Sequence, residues 1–382
     1  MVAAPAAPAA AGAAAAWLAE LAGAPLPGRR LEQWRFTDLS PLAAISPRLV
    51  DGAAQAPELR LPDGVEPLDA ARAAETLDQV VKATGSATHW PVLLNRAAAA
   101  RGGAGQLALR VRGAVGEPLV LARGLAGSGL EVRQLVLVLE PGASLELLQV
   151  VPAGTGVEGP AALCALTAVQ LGEGASLRAG VLAQGQAGAS LLAHWLAVQA
   201  PGSSLSLTSA SSGWDLARVE PRVVQTAGAA HTQLRALQAC TAHQISDTHS
   251  FVRFDGPEGS LDQLHKAVAD GQGRSVFNGA VLVPRAAQRT NAAQLSRNLL
   301  LSDRARIDTK PELEIVADDV KCAHGATVSR LREDELFYLQ SRGIAAHQAA
   351  ALLKRAFCEE VLRELPAAAA GWNPLAHLLA QA

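Results

Sequence analysis

Aromatic residues are scarce in this chain of 382 residues: six Trp, six Phe and one Tyr, 3% in all, beside a single Met. Surfaces that stack on bases or sugar rings depend on aromatic faces, so both ligand classes are poorly served. Cysteine is limited to Cys164, Cys240, Cys322 and Cys358, too scattered for a disulfide framework. That favours reduced thiols in a reducing compartment. Neither sign of charge dominates: 33 Lys and Arg face 35 Asp and Glu, a formal net charge of −2, so no basic footprint for nucleic acid exists. No apolar run reaches the ~18 residues of a membrane-spanning helix. The opening MVAAPAAPAAAGAAAAW has no positively charged start of a secretory signal and reads as a disordered Ala/Pro lead-in. The expectation is a soluble, intracellular chain. Phosphate loops of the G-x-x-x-x-G-K-S/T kind, G-x-S-x-G elbows, H-E-x-x-H and C-x-x-C are all missing, which removes P-loop nucleotide binding and several hydrolase chemistries.

What is present divides into three regions. Residues 1–104 read as helical and loop-rich, with a short helix over 14–24 ended by Pro25 and Pro27. Helical spacing recurs within 65–84 and again from Val92 to Ala100. Between them, the basic and aromatic stretch Gly28 to Thr37 reads as a linker pinned by Trp34 and Phe36 against the body rather than a base-stacking surface. Residues 105–330 change pattern. Leu107, Leu109 and Val111 alternate, Leu135 to Leu139 is a continuous apolar run, and a tetrad returns as Gly142-Ala143-Ser144-Leu145, Gly174-Ala175-Ser176-Leu177, Gly188-Ala189-Ser190-Leu191 and Gly202-Ser203-Ser204-Leu205, with a degenerate copy at Gly228-Ala229-Ala230. Small-residue turns feeding short strands, with no intervening helices, predict a mainly β chain and favour a parallel β-helix over a β-sandwich. Such a solenoid needs its ends closed, and the helical flanks are expected to cap them. Residues 331–382 turn helical again. Glu333-Asp334-Glu335 opens one helix, Ser341-Arg342-Gly343 ends it, and a longer helix from Ala345 to Leu365 carries a stripe of Leu352, Leu353, Ala356, Phe357, Val361, Leu362 and Leu365. A last short helix is expected after Gly371.

The stretch Leu301 to Val328 carries the densest chemistry. Glu312-Leu313-Glu314-Ile315 reads as a half-buried strand, and Asp318-Asp319-Val320-Lys321 leads into Cys322-Ala323-His324-Gly325. In extended backbone Cys322 and His324 point to one face. A thiol and an imidazole beside aspartates suit a transition metal or a sulfur species, but two ligands do not close a tetrahedral site. The remaining candidates read as bland. His194, His231, His243, His249 and His265 are expected at surfaces or edges, and Cys164, Cys240 and Cys358 as inert packing.

The run Ser302 to Ile315, then Ala317 to Thr327, resembles the SufB/SufD family of the SUF iron–sulfur cluster assembly machinery. Leu336 to Ile344 and the entry segment Arg30 to Thr37 extend the resemblance over nearly the whole chain. Cys322-Ala323-His324-Gly325-Ala326-Thr327 stands where SufB-like chains carry Glu-His-Glu-Ala-Thr, and Ala293-Gln294-Leu295-Ser296 lacks the cysteine they carry nearby. Both departures fall on the SufD side. The resemblance implies a right-handed parallel β-helix with helical N- and C-terminal regions, acting as a non-catalytic scaffold in a complex with SufB and the ATPase SufC. It implies pairing with SufB through the last coils, or with a second copy when alone. It implies docking of SufC through the C-terminal helices at Leu336, Phe337, Tyr338, Arg342, Gly343 and Ile344. A transient iron–sulfur cluster would be shared with SufB through His324 and Cys322. No nucleotide is expected on this chain, a flavin in the assembled complex is admitted, and neither nucleic acid nor membrane is a partner. The implied compartment is the cytoplasm, or the plastid stroma in an organelle. Two other readings stand beside it: a β-helix carbohydrate-active enzyme, which the scarcity of aromatics opposes, and a purely structural homodimeric solenoid.

Overall fold

The computed structural model describes residues 8–51, 59–102, 104–154 and 157–380. The chain opens with helix α1 (Pro8–Ala22), the short strands β1 (Leu49–Val50) and β2 (Val65–Pro67), and helices α2 (Ala70–Ala83) and α3 (Trp90–Ala100). Residues 1–7 of the expected lead-in lie outside the described residues, and α1 starts at Pro8 rather than near residue 14. Proline is tolerated in a first helical turn because its missing N–H has no partner there anyway.

Strands then follow in pairs, two to a coil. The first four coils are β3 (Ala104–Val111) and β4 (Leu119–Ala122), β5 (Gly129–Leu139) and β6 (Ser144–Val151), β7 (Ala161–Leu171) and β8 (Ser176–Gln184), β9 (Ala189–Gln199) and β10 (Ser204–Ser212). The last four are β11 (Leu216–Gln225) and β12 (His231–Cys240), β13 (Ile245–Phe254) and β14 (Ser260–Ala269), β15 (Arg274–Val283) and β16 (Asn291–Leu300), β17 (Arg306–Ile315) and β18 (Lys321–Ser329). Odd strands stack in one sheet ordered β17 back to β3, with β2 added antiparallel beyond β3 and β1 alongside β5. Even strands stack in a second, ordered β18 back to β4. This is a parallel β-solenoid of about eight turns. Helices α4 (Glu333–Ser341), α5 (Ala346–Leu362) and α6 (Pro374–Ala380) complete the described chain.

The recurring glycines explain the winding. Gly142, Gly174 and Gly202 have φ of 71°, 65° and 67°, a left-handed conformation that costs little without a Cβ, and each sits at the corner before an even strand. Gly188 occupies the opposite corner, before β9. The 14-residue hops in the sequence therefore mix two corners, and a full coil runs from Ser144 to Ser176 or from Ser204 to His231.

Register stacks like on like. Leu109, Leu137, Val169, Ala197, Val223, Val252 and Val281 form one column through the lumen, all at most 1% exposed. Each aliphatic side chain buried this way contributes about 1.5–3 kcal/mol. The outward faces are also apolar, as expected of parallel strands covered on both sides. Leu130, Val132, Cys164 and Leu192 meet Leu18, Trp90 and Leu94 of the N-terminal layer, while Leu148, Leu182, Leu237 and Val268 meet Cys358, Val361 and Leu365 of the C-terminal one. A Cβ on Gly180 would collide with the Pro366 ring, so the C-terminal chain lies against the even sheet at backbone distance.

The expected end caps are therefore a correction: the helices clad the two broad faces and, among the described residues, leave the outer edges of the final coil unpaired. The reason lies in those outward apolar positions, which need cover along the whole length of the sheets. Helix α5 is likewise split. Cys358, Val361 and Leu362 are buried, but Leu352 is 46% exposed where the helix projects past the sheet.

Candidate functional site

The bare coil is the last one. β17 and β18 are terminal in their sheets, and each has a neighbour on one side only. Parallel pairing uses alternate residues. The Lys321 N–H donates to the Thr290 carbonyl and that of Arg306 to Gly273, which fixes the inward-bonding set on each strand. The backbone groups of Cys322, His324, Ala326 and Val328, and those of Ile307, Thr309, Leu313 and Ile315, are turned the other way. Pro311 occupies one of these free positions, where its missing N–H costs no ladder bond. Ile315, Val316 and Val328 are 41%, 48% and 45% exposed at this end.

Cys322 and His324 stack on Ala292 and Gln294, both 2% exposed and facing the lumen. Both site residues thus face into the mouth of the open solenoid, side by side as their spacing predicts. The Cys322 thiol is half-buried against the core, and burial pushes it above its ordinary value. His324 is exposed. Asp318 and Asp319 are exposed on the preceding turn, and among the described residues no third ligand atom groups with Cys322 and His324. Two donors of this kind are able to hold one edge of a metal or sulfide species and leave the rest of its coordination open.

A second exposed surface lies on the C-terminal hairpin. Helix α4 has no buried residue; it rests on α5, with Phe337 73% and Tyr338 58% exposed. The Arg342 guanidinium sits 5.3 Å from the Tyr338 ring. Leu336 and Ile344 are half-buried, and Gly343 turns the chain at φ 86°. Helix α5 is anchored below by Lys266, whose Nζ donates to the Phe357 carbonyl at 2.9 Å and pairs with Glu360.

Sequence reasoning missed a buried ionic network on the outer face of the odd sheet. Arg218, 0% exposed, donates to Glu220 at 2.9 Å, to Asp247 at 2.7 Å and to the Gln33 carbonyl at 2.9 Å, with its guanidinium 3.9 Å from the Trp34 ring centre. Thr37 donates to Asp247, and Arg222 bonds the Thr84 carbonyl at 3.1 Å. His89 and His194 approach Glu220 at 2.8 and 3.2 Å. Their ligand atoms lie within 4.8 Å of one another, but Arg218 and Arg222 already share that carboxylate, so a divalent cation would enter beside two guanidinium groups. Burial alone would raise Glu220, yet His194 and Arg218 hold it well below the ordinary carboxylate range. His194 and His265 are buried at 2% and 0%, correcting the surface reading, whereas His231 and His243 are exposed. The available signal was Arg218-Val219-Glu220-Pro221-Arg222, three charges on one face of an otherwise buried strand. Trp34 is pinned as expected, and Cys164, Cys240 and Cys358 are buried, their thiols pushed up to about 12, 12 and 11.

Residues 123–357 match the model of the SUF system FeS cluster assembly, SufBD core domain. An iron–sulfur cluster assembly SufBD family protein of Synechocystis is 50% identical over 156 residues, 41% of this chain and 34% of that protein. The chloroplastic protein ABCI7 of Arabidopsis thaliana is 45% identical over 165 residues, 43% of this chain and 35% of its own. The iron–sulfur cluster assembly protein SufD of Escherichia coli is 38% identical over 133 residues, 35% of this chain and 31% of its own. The matched stretch thus spans about a third of each relative. No described helix is long and apolar enough to cross a membrane.

Proposed function

The chain belongs to the SufBD family of the SUF iron–sulfur cluster assembly system, and from that premise we propose that it is a scaffold with no chemistry of its own, the SufD-like half of a pair of solenoids between which a cluster forms. One observation carries the reading: both sheets end in unpaired strands, and Cys322 and His324 face out of that same end. A SufB-like partner adding its own terminal strands to β17 and β18 would satisfy the free backbone groups and bring the ligands this chain lacks. The cluster is cargo, held by two subunits and released from both. Cys322 carries its proton until a metal replaces it, since burial raises the thiol, and His324 is the more accessible donor.

The α4–α5 hairpin is the docking surface for a SufC-like ATPase, through exposed Phe337 and Tyr338 with Leu336, Arg342, Gly343 and Ile344 around them. Nucleotide belongs to that partner, in keeping with the missing phosphate loop. The setting is the cytoplasm or a plastid stroma.

Co-expression with SufB and SufC, followed by anaerobic absorption spectroscopy, tests both contacts. His324→Ala should leave the complex assembled and lower cluster yield by roughly tenfold or more, with a smaller loss for Cys322→Ala. Undiminished yield in His324→Ala removes the site from this chain. Truncation at Ser341 should abolish SufC capture, and retained capture places the docking surface elsewhere.

A further inference from the structure

The lumen of the first coils is hollow. Gly105, Arg133, Ala165, Ala193 and Val219 follow one another inward on β3, β5, β7, β9 and β11. The Arg123 guanidinium lies over Gly105, and Ala165 and Ala193 leave room beyond it. The result is a cavity of about 730 Å³ between the two sheets, within the 300–1,000 Å³ of small-molecule sites. Five strands spaced about 4.8 Å apart make it roughly 19 Å long along the solenoid axis.

Its walls are mainly apolar, with Leu107, Leu135, Leu163, Val181 and Leu191 among the lining residues. Trp195 Nε1 donates to Gln149 Oε1 at 3.1 Å, and Gln149 Nε2 to Thr167 Oγ1 at 3.0 Å. At one end Arg123 and Arg133 share a single carboxylate, that of Glu131, at 2.9 and 2.8 Å. Arg123 lines the cavity where the lining reaches the surface, beside exposed Leu59, Arg60, Glu117 and Pro118.

We infer that this cavity binds a single linear amphiphile, its hydrocarbon chain laid along the solenoid axis and its carboxylate paired with the Arg123 guanidinium. A long, narrow apolar trench accommodates an extended acyl chain better than a fused ring system. Glu131 is divided between Arg123 and Arg133, so the Arg123 charge is only partly offset, and an anionic head group completes the balance. The site lies at the opposite end of the solenoid from Cys322 and His324, and the two assignments stand or fall separately.

The full-length chain, delipidated and titrated with cis-parinaric acid, should enhance the probe's fluorescence at one site per chain. Palmitate should displace it, and hexadecanol should do so less well. Ala193→Phe and, as an independent filling variant, Ala165→Phe should abolish binding while far-ultraviolet circular dichroism stays unchanged. Arg123→Gln should weaken palmitate by roughly tenfold, the loss of one charge-assisted hydrogen bond, and leave hexadecanol unaffected. No enhancement with the wild-type chain, or enhancement that survives in a folded filling variant, overturns the site. Equal losses for palmitate and hexadecanol in Arg123→Gln overturn the head-group assignment.

Discussion

At the scale of single residues, His265 shows what burial does to a titratable group that the sequence leaves ambiguous. Its ring stacks 4.3 Å from Phe277, its Nε2 has no partner, and burial lowers it from 6.5 to about 3. Between those two values the unfolded chain takes up a proton at His265 and the folded chain does not. Stability therefore rises with pH across this window, by up to about 1.4 kcal/mol per unit. His265→Gln should flatten that dependence in denaturant titrations at pH 6.5, 5.5 and 4.5, and an unchanged slope would show the proton is taken up elsewhere. Glu220 and Asp247 act lower. Their folded values are depressed, so the stability they contribute is complete above the ordinary carboxylate range and lost as pH falls through the depressed values. The sequence makes Cys322 and His324 legible because residues two apart share a face whatever the register. It leaves His194 and His265 illegible because choosing between lumen and outer surface needs the strand parity, and a shift of one residue reverses every assignment.

At the scale of elements, the segment Gly28 to Thr37 is held to the sheet through Trp34 and the Arg218 network. Arg218→Met keeps the packing volume but leaves Glu220 and Asp247 buried without their shared cation, a loss expected to cost about 3–5 kcal/mol. Limited trypsin digestion should then cut readily at Arg29, Arg30 and Arg35, and resistance equal to wild type would mean the aromatic contact alone holds the segment. Helices α2, α3 and α4 were readable from periodicity and from the acidic first turn of α4. Their placement was also encoded, though less openly. Runs such as Leu135 to Leu139 and Trp195 to Val198 are apolar at consecutive positions, the mark of strands covered on both faces. End-capping helices would have left those outward residues in water.

At the scale of the whole molecule, the repeat of glycine corners made a solenoid legible but blurred its period, because one copy of the tetrad, at Gly188, falls at the opposite corner. The open end was legible through the family resemblance; Pro311 fits an edge strand, but Pro221 in the interior strand β11 shows that a proline alone does not mark one. If backbone pairing at that edge joins two chains, Ala326→Pro removes an outward N–H without breaking a bond to β16. Size-exclusion chromatography with light scattering should find the wild-type chain, purified without a partner, as a two-chain species, and Ala326→Pro shifted toward the single chain. A variant that associates as strongly as wild type would place the contact away from β18.

The two ends of the solenoid are unlike. One presents two bare parallel edges; the other is finished by antiparallel β2 and by β4, only four residues long. A stack of parallel coils open at both ends is a monomer unit for a fibre, since every added copy regenerates the template that received it. If two chains pair through those edges, the growing tip is consumed at the first addition, because among the described residues the far end offers only β2 and the four-residue β4. The same winding that in other contexts propagates without limit would then be self-terminating, with an assembly of two solenoids as its natural stop.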